Sequence, residues 1–483
     1  MHLEYVINDK SFAEAIGSQY GYGRMVIYTE ESEINETNVV DELNAAISYH
    51  QINVEAISYL DRYYRGDQPI LYRKKEVRPE INHKIVENHA LEIVDSKVAD
   101  LYGEPIQYVL ADNDDEAKTS QMNKLNRFMK SEDKAALDIK RGRWASICGT
   151  SYFYIGNENR MPKQFDEAPF FISVENPKKT FVVYYADDET PAFAVRIRRN
   201  KEGDLYYVYT QYYIYIIQGD KIIETAKNGN DMIPVIEYPN NERRLSDIEI
   251  TIAITDAINE MQSDRDNAID QFVQAFLLFK NCEIDKKTFE DLKNSGAIAV
   301  SNTGDGREAD VRPLVSELSQ DGSQVSKDDL YNSLLTIQGM PSRQEATGGD
   351  TGQAVALRNG YYAEEKRAEL RIPIFQQSER MMLRVVLNKL RVNESFALGI
   401  SDIDIRPNRS KLENMMVKAQ VLQILHQIGV SDDVALKTVN LFSDVQDTYI
   451  KSKETMKEHF DSIVNKSNTE TIEVDEENGT STV

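Results

Sequence analysis

The sequence predicts an α+β protein with helices first, short antiparallel strands next, and then two long helices on either side of a small β insert. Apolar residues recur at helical spacing before Thr150, and they alternate with polar residues from Thr150 to Ile217. Helical spacing returns at Asp247 and continues through most of the remaining chain. Composition fits a folded protein, because 41% of the 483 residues are hydrophobic and 28% are charged.

Four helices are predicted before the strands, each from apolar residues three or four positions apart. They are Val39–Arg65, Asn82–Tyr102, Glu116–Lys130 and Asp133–Ile147. Residues 1–38 show no clear pattern, so no element is assigned to them.

Six short strands are predicted next, separated by turn residues. They are Ser151–Ile155, Phe170–Val174, Thr180–Tyr185, Ala192–Arg199, Leu205–Tyr213 and Tyr213–Ile217. Tyrosines are concentrated in the last two strands; the high β-propensity of tyrosine explains this, and stacking on nucleic-acid bases is the alternative. Residues 1–240 are therefore expected to form one α+β unit.

The stretch from Asp247 to Val392 organises the rest of the chain. It opens with an acidic amphipathic helix, Asp247–Gln274, and a second helix, Ser323–Gln338, follows an insert. Within the insert the pattern predicts the strand Phe276–Lys280, the short helix Lys286–Asn294 and the strands Ala297–Ser301 and Val311–Val315.

A glycine-containing loop, residues 340–352, leads into a very long helix, Gln353 to Arg391. Its three glycines let the loop backbone change shape at little energetic cost. Pro373 lies inside the long helix and removes one helical hydrogen bond. We therefore expect a bend near Ile372, with two independent helices as the alternative.

The C-terminal part is predicted to be mostly helical. Short strands are expected at Phe396–Leu398 and Asp402–Arg406, and helices at Ser410–Ile428, Asp432–Leu441 and Val445–Asn465. Residues 467–483 contain acidic residues and no basic one, which is typical of a disordered tail.

The chain is strongly acidic, with 80 acidic and 56 basic residues and a formal net charge of −24. Such a protein does not wrap nucleic acid tightly, although it can let a polyanion slide past. Simple solubility is the simpler explanation of the charge. No apolar run reaches membrane-spanning length, so no membrane partner is expected. Cys148 and Cys282 are far apart in sequence, which favours synthesis in a reducing cytoplasm.

Signatures of catalysis and cofactor binding are missing from the sequence. No Gly-Lys dipeptide is present, which excludes a Walker A loop, and none of the six histidines forms a zinc-binding motif. Asp264, Asp266 and Asp270 could form a metal cluster, but a solvated acidic helix face is the simpler interpretation. We expect neither enzymatic activity nor a cofactor.

Four stretches carry a family likeness. They are Tyr63–Ile70 with the basic residues after it, Asn82–Asn88 running on to Pro105, Ile233–Glu242 leading into the acidic helix, and the glycine loop before the long helix. In content and order they resemble the portal proteins of tailed double-stranded DNA phages, specifically the siphophage type from Gram-positive hosts. The resemblance extends over residues 40–460 or thereabouts.

The resemblance implies an elongated portal-type subunit. Its parts would be the wing (1–240), two stem helices (241–274 and 319–339), a small α/β clip (275–318), a tunnel loop (340–352), a kinked wing helix with closing strands (353–408), a helical crown (409–466) and the acidic tail (467–483). Residues 1–38 have no counterpart in this pattern.

The resemblance also implies where function resides. The DNA-facing tunnel loop would comprise Pro341, Ser342, Arg343, Gln344, Glu345, Ala346, Thr347, Gly348, Gly349, Asp350, Thr351 and Gly352. The acidic stem helix would present Asp256, Glu260, Asp264, Asp266 and Asp270, and Pro373 would kink the long helix. Arg343 could contact a phosphate or pair with Glu345.

The partners implied are copies of the same chain, in a ring of about twelve, and double-stranded DNA passing through that ring. The large terminase subunit, a head-completion adaptor, and the major capsid and scaffolding proteins would also bind. The location would be the portal vertex of the virion, with assembly in the host cytoplasm. The alternatives are a non-conduit capsid-associated scaffold or head–tail adaptor and, less well supported, an enzyme with an unrecognised carboxylate site.

Overall fold

The computed structural model describes residues 23–76, 78–111, 116–157, 167–229, 231–273, 276–280, 310–314, 320–341, 361–393, 396–407 and 415–439, with residues 287, 290, 452 and 453. The chain forms two compact units. One combines Met1–Val98, Lys140–Tyr154 and Val174–Ser378; the other combines Ala99–Ile139, Ile155–Ser173 and Glu379–Val483. The α+β class predicted from the sequence is confirmed.

The described α-helices are α1 (Val39–Tyr64), α2 (His89–Tyr102), α3 (Glu116–Ser131), α4 (Lys134–Cys148), α5 (Ile252–Val273), α6 (Gln320–Gln338), α7 (Tyr361–Asn393), α8 (Met415–Gln427) and α9 (Asp432–Val439). Short 3₁₀ turns occupy Pro69–Tyr72, Glu249–Thr251 and Ile400–Asp402.

The described strands are β1 (Ile27–Thr29), β2 (Gln107–Leu110), β3 (Thr150–Gly156), β4 (Phe171–Glu175), β5 (Thr180–Tyr185), β6 (Pro191–Asn200), β7 (Gly203–Tyr209), β8 (Tyr213–Gln218), β9 (Lys221–Lys227), β10 (Val235–Pro239), β11 (Phe276–Lys280), β12 (Asp310–Leu314) and β13 (Ile403–Arg406).

The first unit is built on a six-stranded sheet with the order β1-β5-β6-β7-β8-β9. β1 runs parallel to β5, and the other pairs are antiparallel. Helix α1 packs on this sheet through Val39, Leu43 and Ala46, which join Phe193 and Val208 in one buried cluster. Fully burying a side chain of valine or leucine size contributes roughly 1.5–3 kcal/mol, so this contact stabilises both elements.

A buried arginine lies at the centre of the layer formed by α4, β3 and β10. Arg141, 1% exposed, places its guanidinium 4.1 Å from the ring centre of Tyr238. The rings of Phe153 and Phe375 are each 5.4 Å away. A cation over aromatic faces in a water-free site contributes on the order of 2 kcal/mol, which helps to offset the cost of burying the charge.

Helices α5 and α6 pack against each other in the first unit, as their predicted positions on either side of the insert suggested. Their contact is a buried cluster of Ile258, Leu334 and Leu335, joined by Ile93 of α2 and by Met340. The insert between them contains two of the predicted strands, with β11 antiparallel to β12. The predicted strand at 297–301 and most of the predicted helix at 286–294 lie outside the described residues.

In the second unit β13 pairs antiparallel with β2. Beside this pair Glu379, fully buried on α7, accepts a hydrogen bond from Tyr108 and lies 2.9 Å from the Lys134 ammonium. Lys134 also contacts both carboxylate oxygens of Asp138 at 2.7 Å. The Lys134 ammonium thus lies between two buried carboxylates and offsets part of their charge.

The prediction of a helix from Asn82 was wrong for its first turns, since α2 begins only at His89. Residues 82–88 have no helical hydrogen bonds, because side chains of α5 take the backbone N–H groups of His83, Ile85 and Glu87 instead. The other three N-terminal helices were predicted to within one residue at each end.

Two strand predictions also need correction. Phe396–Leu398 is not a strand, because the N–H groups of Ala397 and Leu398 both donate to the side chain of Gln121. The strand expected to reach Tyr213 ends at Tyr209, where Thr210 begins a turn that bonds back to Tyr213. β1, β2, β9 and β10 were not predicted.

Helix α7 is continuous through Pro373. The alternative of two independent helices is therefore wrong, and the bend at this position stays a prediction. Residues 353–360 lie outside the described residues. So do the acidic tail and the predicted helix at 445–465, apart from residues 452 and 453.

Candidate functional site

The predicted site residues fall on three segments: helix α5, the glycine loop and helix α7. Of the twelve loop residues only Pro341 is described, and it is half-buried just after Met340. The loop positions from 342 to 352 lie outside the described residues. Helix α5 therefore carries most of the described part of the predicted site.

The five predicted carboxylates of α5 differ in exposure. Glu260 and Asp264 are exposed and lie one helical turn apart, so they share a face. Asp256, Asp266 and Asp270 are half-buried. The negative charge that α5 presents to solvent is thus concentrated at Glu260 and Asp264.

Three of these carboxylates are bonded within the subunit. Asp264 accepts a hydrogen bond from Arg73 at 2.8 Å and lies 3.8 Å from the Lys75 ammonium. The His83 ring nitrogen Nε2 lies 2.5 Å from Asp270 Oδ2. A segment that is basic in sequence, residues 73–84, therefore runs beside the acidic helix and partly compensates its charge.

Asp256 is held differently, by the hydroxyl of Tyr63 at 2.8 Å. Burial raises the pKa of Asp256 to about 6, and the nearby Glu260 carboxylate adds to this rise, while the Tyr63 hydrogen bond opposes it. Burial also raises the pKa of Tyr63, so its hydroxyl keeps its proton and remains the donor. Among the described residues, Glu260 and Asp266 form no hydrogen bond or ion pair.

A polar stripe on α5, defined as Asn259, Ser263 and Asn267, is the feature that sequence reasoning missed. All three side chains are at most 2% exposed. Their oxygens accept the backbone N–H groups of Glu87, Ile85 and His83, at 2.7, 2.9 and 2.8 Å respectively. Residues 82–88, the extended segment, are thereby bound along α5 and run antiparallel to it.

The spacing of the two partners explains why this arrangement forms. Four residues of an α-helix rise about 6 Å, and two residues of an extended chain span roughly 6.6 Å. Every fourth residue of α5 can therefore meet every second N–H of the extended segment. The signal in the sequence is the occurrence of Thr251, Thr255, Asn259, Ser263 and Asn267 at intervals of four, all of them buried.

A second set of amides fixes the end of the extended segment. Asn259 donates to the Gln68 side chain at 2.6 Å, and Gln68 donates to Asn88 at 3.0 Å. Asn88 in turn donates to the backbone oxygen of Tyr64, the last residue of α1. From α6, Lys327 reaches Glu87 at 2.5 Å. The segment thus links α1, α5 and α6 in the first unit.

Two further classes of site are absent from the described part of the chain. No group of three or more His, Cys, Asp or Glu residues there could hold a metal ion. No helix there is long and apolar enough to cross a membrane.

A comparison with protein families decides the identity. The family model described as phage portal protein, SPP1 Gp6-like, matches residues 43–465. The chain belongs to this family. It is a phage portal protein, which places it at the capsid vertex.

Three solved structures similar to this portal protein come from gene transfer agent (GTA) particles. They are a chain of the neck of an empty GTA particle computed with C6 symmetry (11% identity, TM-score 0.45, 73% of this chain and 90% of that chain covered) and one of the virion of a native GTA particle (12%, 0.43, 80% and 93%). A third is in the neck of a native GTA particle computed with C12 symmetry (12%, 0.43, 72% and 89%). No curated protein matches the sequence.

Proposed function

We propose that copies of this portal protein form a ring of about twelve subunits, through which double-stranded genomic DNA is packaged, retained and later ejected. The phage would be a siphophage of a Gram-positive host. The observation that carries the proposal is the family match, which extends over residues 43–465. The chain itself would be a passive conduit, with packaging energy supplied by the large terminase subunit.

Charge supports a conduit. Twelve copies at −24 each would carry a formal charge on the order of −290, and repulsion over a Debye length of roughly 8–10 Å would keep a duplex away from the walls. We infer that α5 is one of two stem helices and that its exposed carboxylates face the lumen. Glu260 would matter most there, because Asp264 is already bonded to Arg73.

The remaining parts keep the roles that the resemblance implies. The strand pair of β11 and β12 would belong to a clip that meets the terminase and later the head-completion adaptor. Residues 341–352 would face DNA and brace it against exit, and the region of α8 and α9 would form a crown inside the capsid. Capsid and scaffolding proteins would contact the ring during assembly in the host cytoplasm.

Negative-stain imaging of the purified protein tests the ring directly. A ring of about twelve subunits with an axial hole supports the conduit, and a compact monomer contradicts it. A particle without a hole would favour the alternative, a capsid-associated scaffold or adaptor.

The loop assignment has a separate test. Deletion of Gly348–Gly352 should leave rings intact but impair the filling of capsids or the retention of DNA. Normal packaging and retention by this variant would refute the assignment.

The lumen charge is tested by Glu260→Lys. If Glu260 faces DNA, the introduced lysines would bind phosphates and slow packaging, and added salt would restore the rate because it screens that attraction. The matched control is Glu55→Lys, a charge reversal at an exposed position of α1. Equal packaging rates for the two variants would contradict a lumen position for Glu260.

A further inference from the structure

The C-terminus of α6 ends in a tightly bonded turn. Gly339 has a left-handed backbone with φ of +63°, its N–H donates to Thr336 O at 3.1 Å, and the N–H of Met340 donates to Leu335 O at 2.8 Å. This pair of bonds is the Schellman motif, which terminates helices and satisfies two of their last carbonyl groups. Met340 is buried against the α5–α6 contact.

The next two carbonyl groups of α6 accept hydrogen bonds from cations. Arg367 of α7 donates to Ile337 O at 2.6 Å, and Lys97 of α2 donates to Gln338 O at 2.5 Å. Positive side chains are stabilised at this end of a helix, because its free carbonyls carry partial negative charge. The first turns of α7 and the end of α6 are thereby joined.

A buried carboxylate completes the connection. Asp247, just before α5, accepts Arg371 of α7 at 2.5 and 3.3 Å and Ser146 at 2.7 Å. The side chain of Gln338 donates to Asp247 O at 2.6 Å and to Thr251 at 2.9 Å. Burial would raise the pKa of Asp247, but Arg371 outweighs it and lowers that pKa, so the ion pair persists at neutral pH.

We propose that Arg371, assisted by Arg367, is a positioning residue that joins the start of α7 to the α5–α6 junction as one rigid base. Residues 342–360 link α6 to α7, so the two ends of this link are attached to the same base. Only one consequence of the rigid base rests on the proposed function. If the loop faces DNA, it acts from a fixed support, and α7 keeps its position as DNA advances.

The bonds favour a rigid base over a sliding helix for an energetic reason. Displacement of α7 would leave the Asp247 carboxylate, 3% exposed, without its cation. Separating one partner from a buried charge pair is strongly unfavourable, because the remaining charge is left without its counter-charge. Each subunit would incur this cost whenever α7 moved away from Asp247.

Pulsed electron spin resonance on the full-length protein tests the base. Spin labels go on Ile337→Cys and Leu370→Cys, which are 44% and 74% exposed, with labelled chains diluted in unlabelled ones. Cys282→Ala removes a competing thiol, and the buried Cys148 reacts poorly because burial raises its pKa. We expect one narrow distance distribution, unchanged when DNA is bound. A shift on DNA binding would overturn the rigid base.

The positioning role is tested in the same labelled protein. Arg367→Gln combined with Arg371→Gln should broaden the distribution or add a longer distance, and Arg371→Lys should largely restore the narrow one. Arg384→Gln, an exposed arginine further along α7, is the matched control and should change nothing. A narrow distribution in the double variant would overturn the proposal.

A folding defect would not obscure the result. Asp247→Asn combined with Arg371→Gln replaces the ion pair by neutral partners and avoids a lone buried charge; it should still loosen the distance, since the charge attraction is lost. Because the distances in the variants are compared without DNA, they test the base even if the chain forms no ring. Loss of the ring with a narrow distance would contradict the conduit alone.

Discussion

Replacement of Ser263 by alanine is the sharpest test of the three hydrogen bonds between α5 and the extended segment, here called the ladder. Ser263 is fully buried, and its hydroxyl oxygen accepts the N–H of Ile85 at 2.9 Å. The substitution removes one oxygen atom and leaves the helix intact. The other two hydrogen bonds of the ladder keep their acceptors, the side-chain oxygens of Asn259 and Asn267.

The expected magnitude follows from two opposing contributions. A buried N–H without an acceptor costs about 1–3 kcal/mol, and alanine in a helix gains roughly 0.5 kcal/mol over serine. The net cost is therefore about 0.5–2.5 kcal/mol, which corresponds to roughly a 2- to 70-fold increase in the opening equilibrium of the segment.

Hydrogen exchange with mass spectrometry, resolved to single amides, is the measurement. If residues 82–88 open as one unit, the N–H groups of His83 and Glu87 should lose protection together with Ile85, although their acceptors are untouched. Loss of protection at Ile85 alone would refute a cooperative ladder.

The matched control is Ser48→Ala on α1. Ser48 makes the same type of bond to the carbonyl four residues earlier, at 3.1 Å to Asn44 O, as Ser263 makes to Asn259 O at 2.7 Å. Ser48 is exposed and its hydroxyl accepts no bond from an extended segment. We expect no loss of protection there, so an equal effect of the two variants would contradict the role of the stripe.

Three further predictions concern stability, each read as the midpoint of thermal unfolding. Burial raises the pKa of Glu237, but Arg244, bonded at 2.7 and 3.0 Å, lowers it by more. The ion pair therefore stabilises the fold at neutral pH, and this stabilisation is lost as pH falls below about 4.5. Glu237→Gln should make the unfolding midpoint less sensitive to acid and lower it at neutral pH. Asp256, whose pKa is raised from 3.8 to about 6, lowers the stability of the fold as pH rises between those two values and no further above them. Asp256→Asn should therefore stabilise the protein at pH 7 by up to about 3 kcal/mol. Gly149→Ala should prevent folding, because its Cβ would lie 1.9 Å from Arg244 O, whereas Gly219→Ala, with open space around it, should cost only about 1 kcal/mol.

Each of these predictions can fail clearly. Equal acid sensitivity of Glu237→Gln and the natural protein would show that another carboxylate controls the transition. A pH profile unchanged by Asp256→Asn would mean that its carboxyl is not buried. A soluble, fully stable Gly149→Ala would contradict the close approach of the two backbones.

Local periodicity correctly predicted those elements in which the spacing of apolar residues alone shows which face is buried. Helix α1 was placed correctly because its apolar residues at Val39, Leu43 and Ala46 must face the sheet. The two short edge strands β1 and β2 were missed because three or four residues are too few to show a period. Both depend on distant partners, β5 and β13, that one sequence does not reveal.

The same argument explains what was missed in the site. A row of acidic residues on α5 is visible in the sequence, but the partners of those residues, Arg73 and His83, are about 190 positions away. The extended segment was predicted to be helical because Ile85 fits a helical spacing with α2, and nothing local shows that its N–H groups bond to Asn259, Ser263 and Asn267. Asn259, Ser263 and Asn267 show that buried polar residues at intervals of four are one signal of a bound backbone segment. Thr251, four residues before Thr255 in the same series, instead accepts from the Gln338 side chain of α6, so the spacing alone does not distinguish the two kinds of partner.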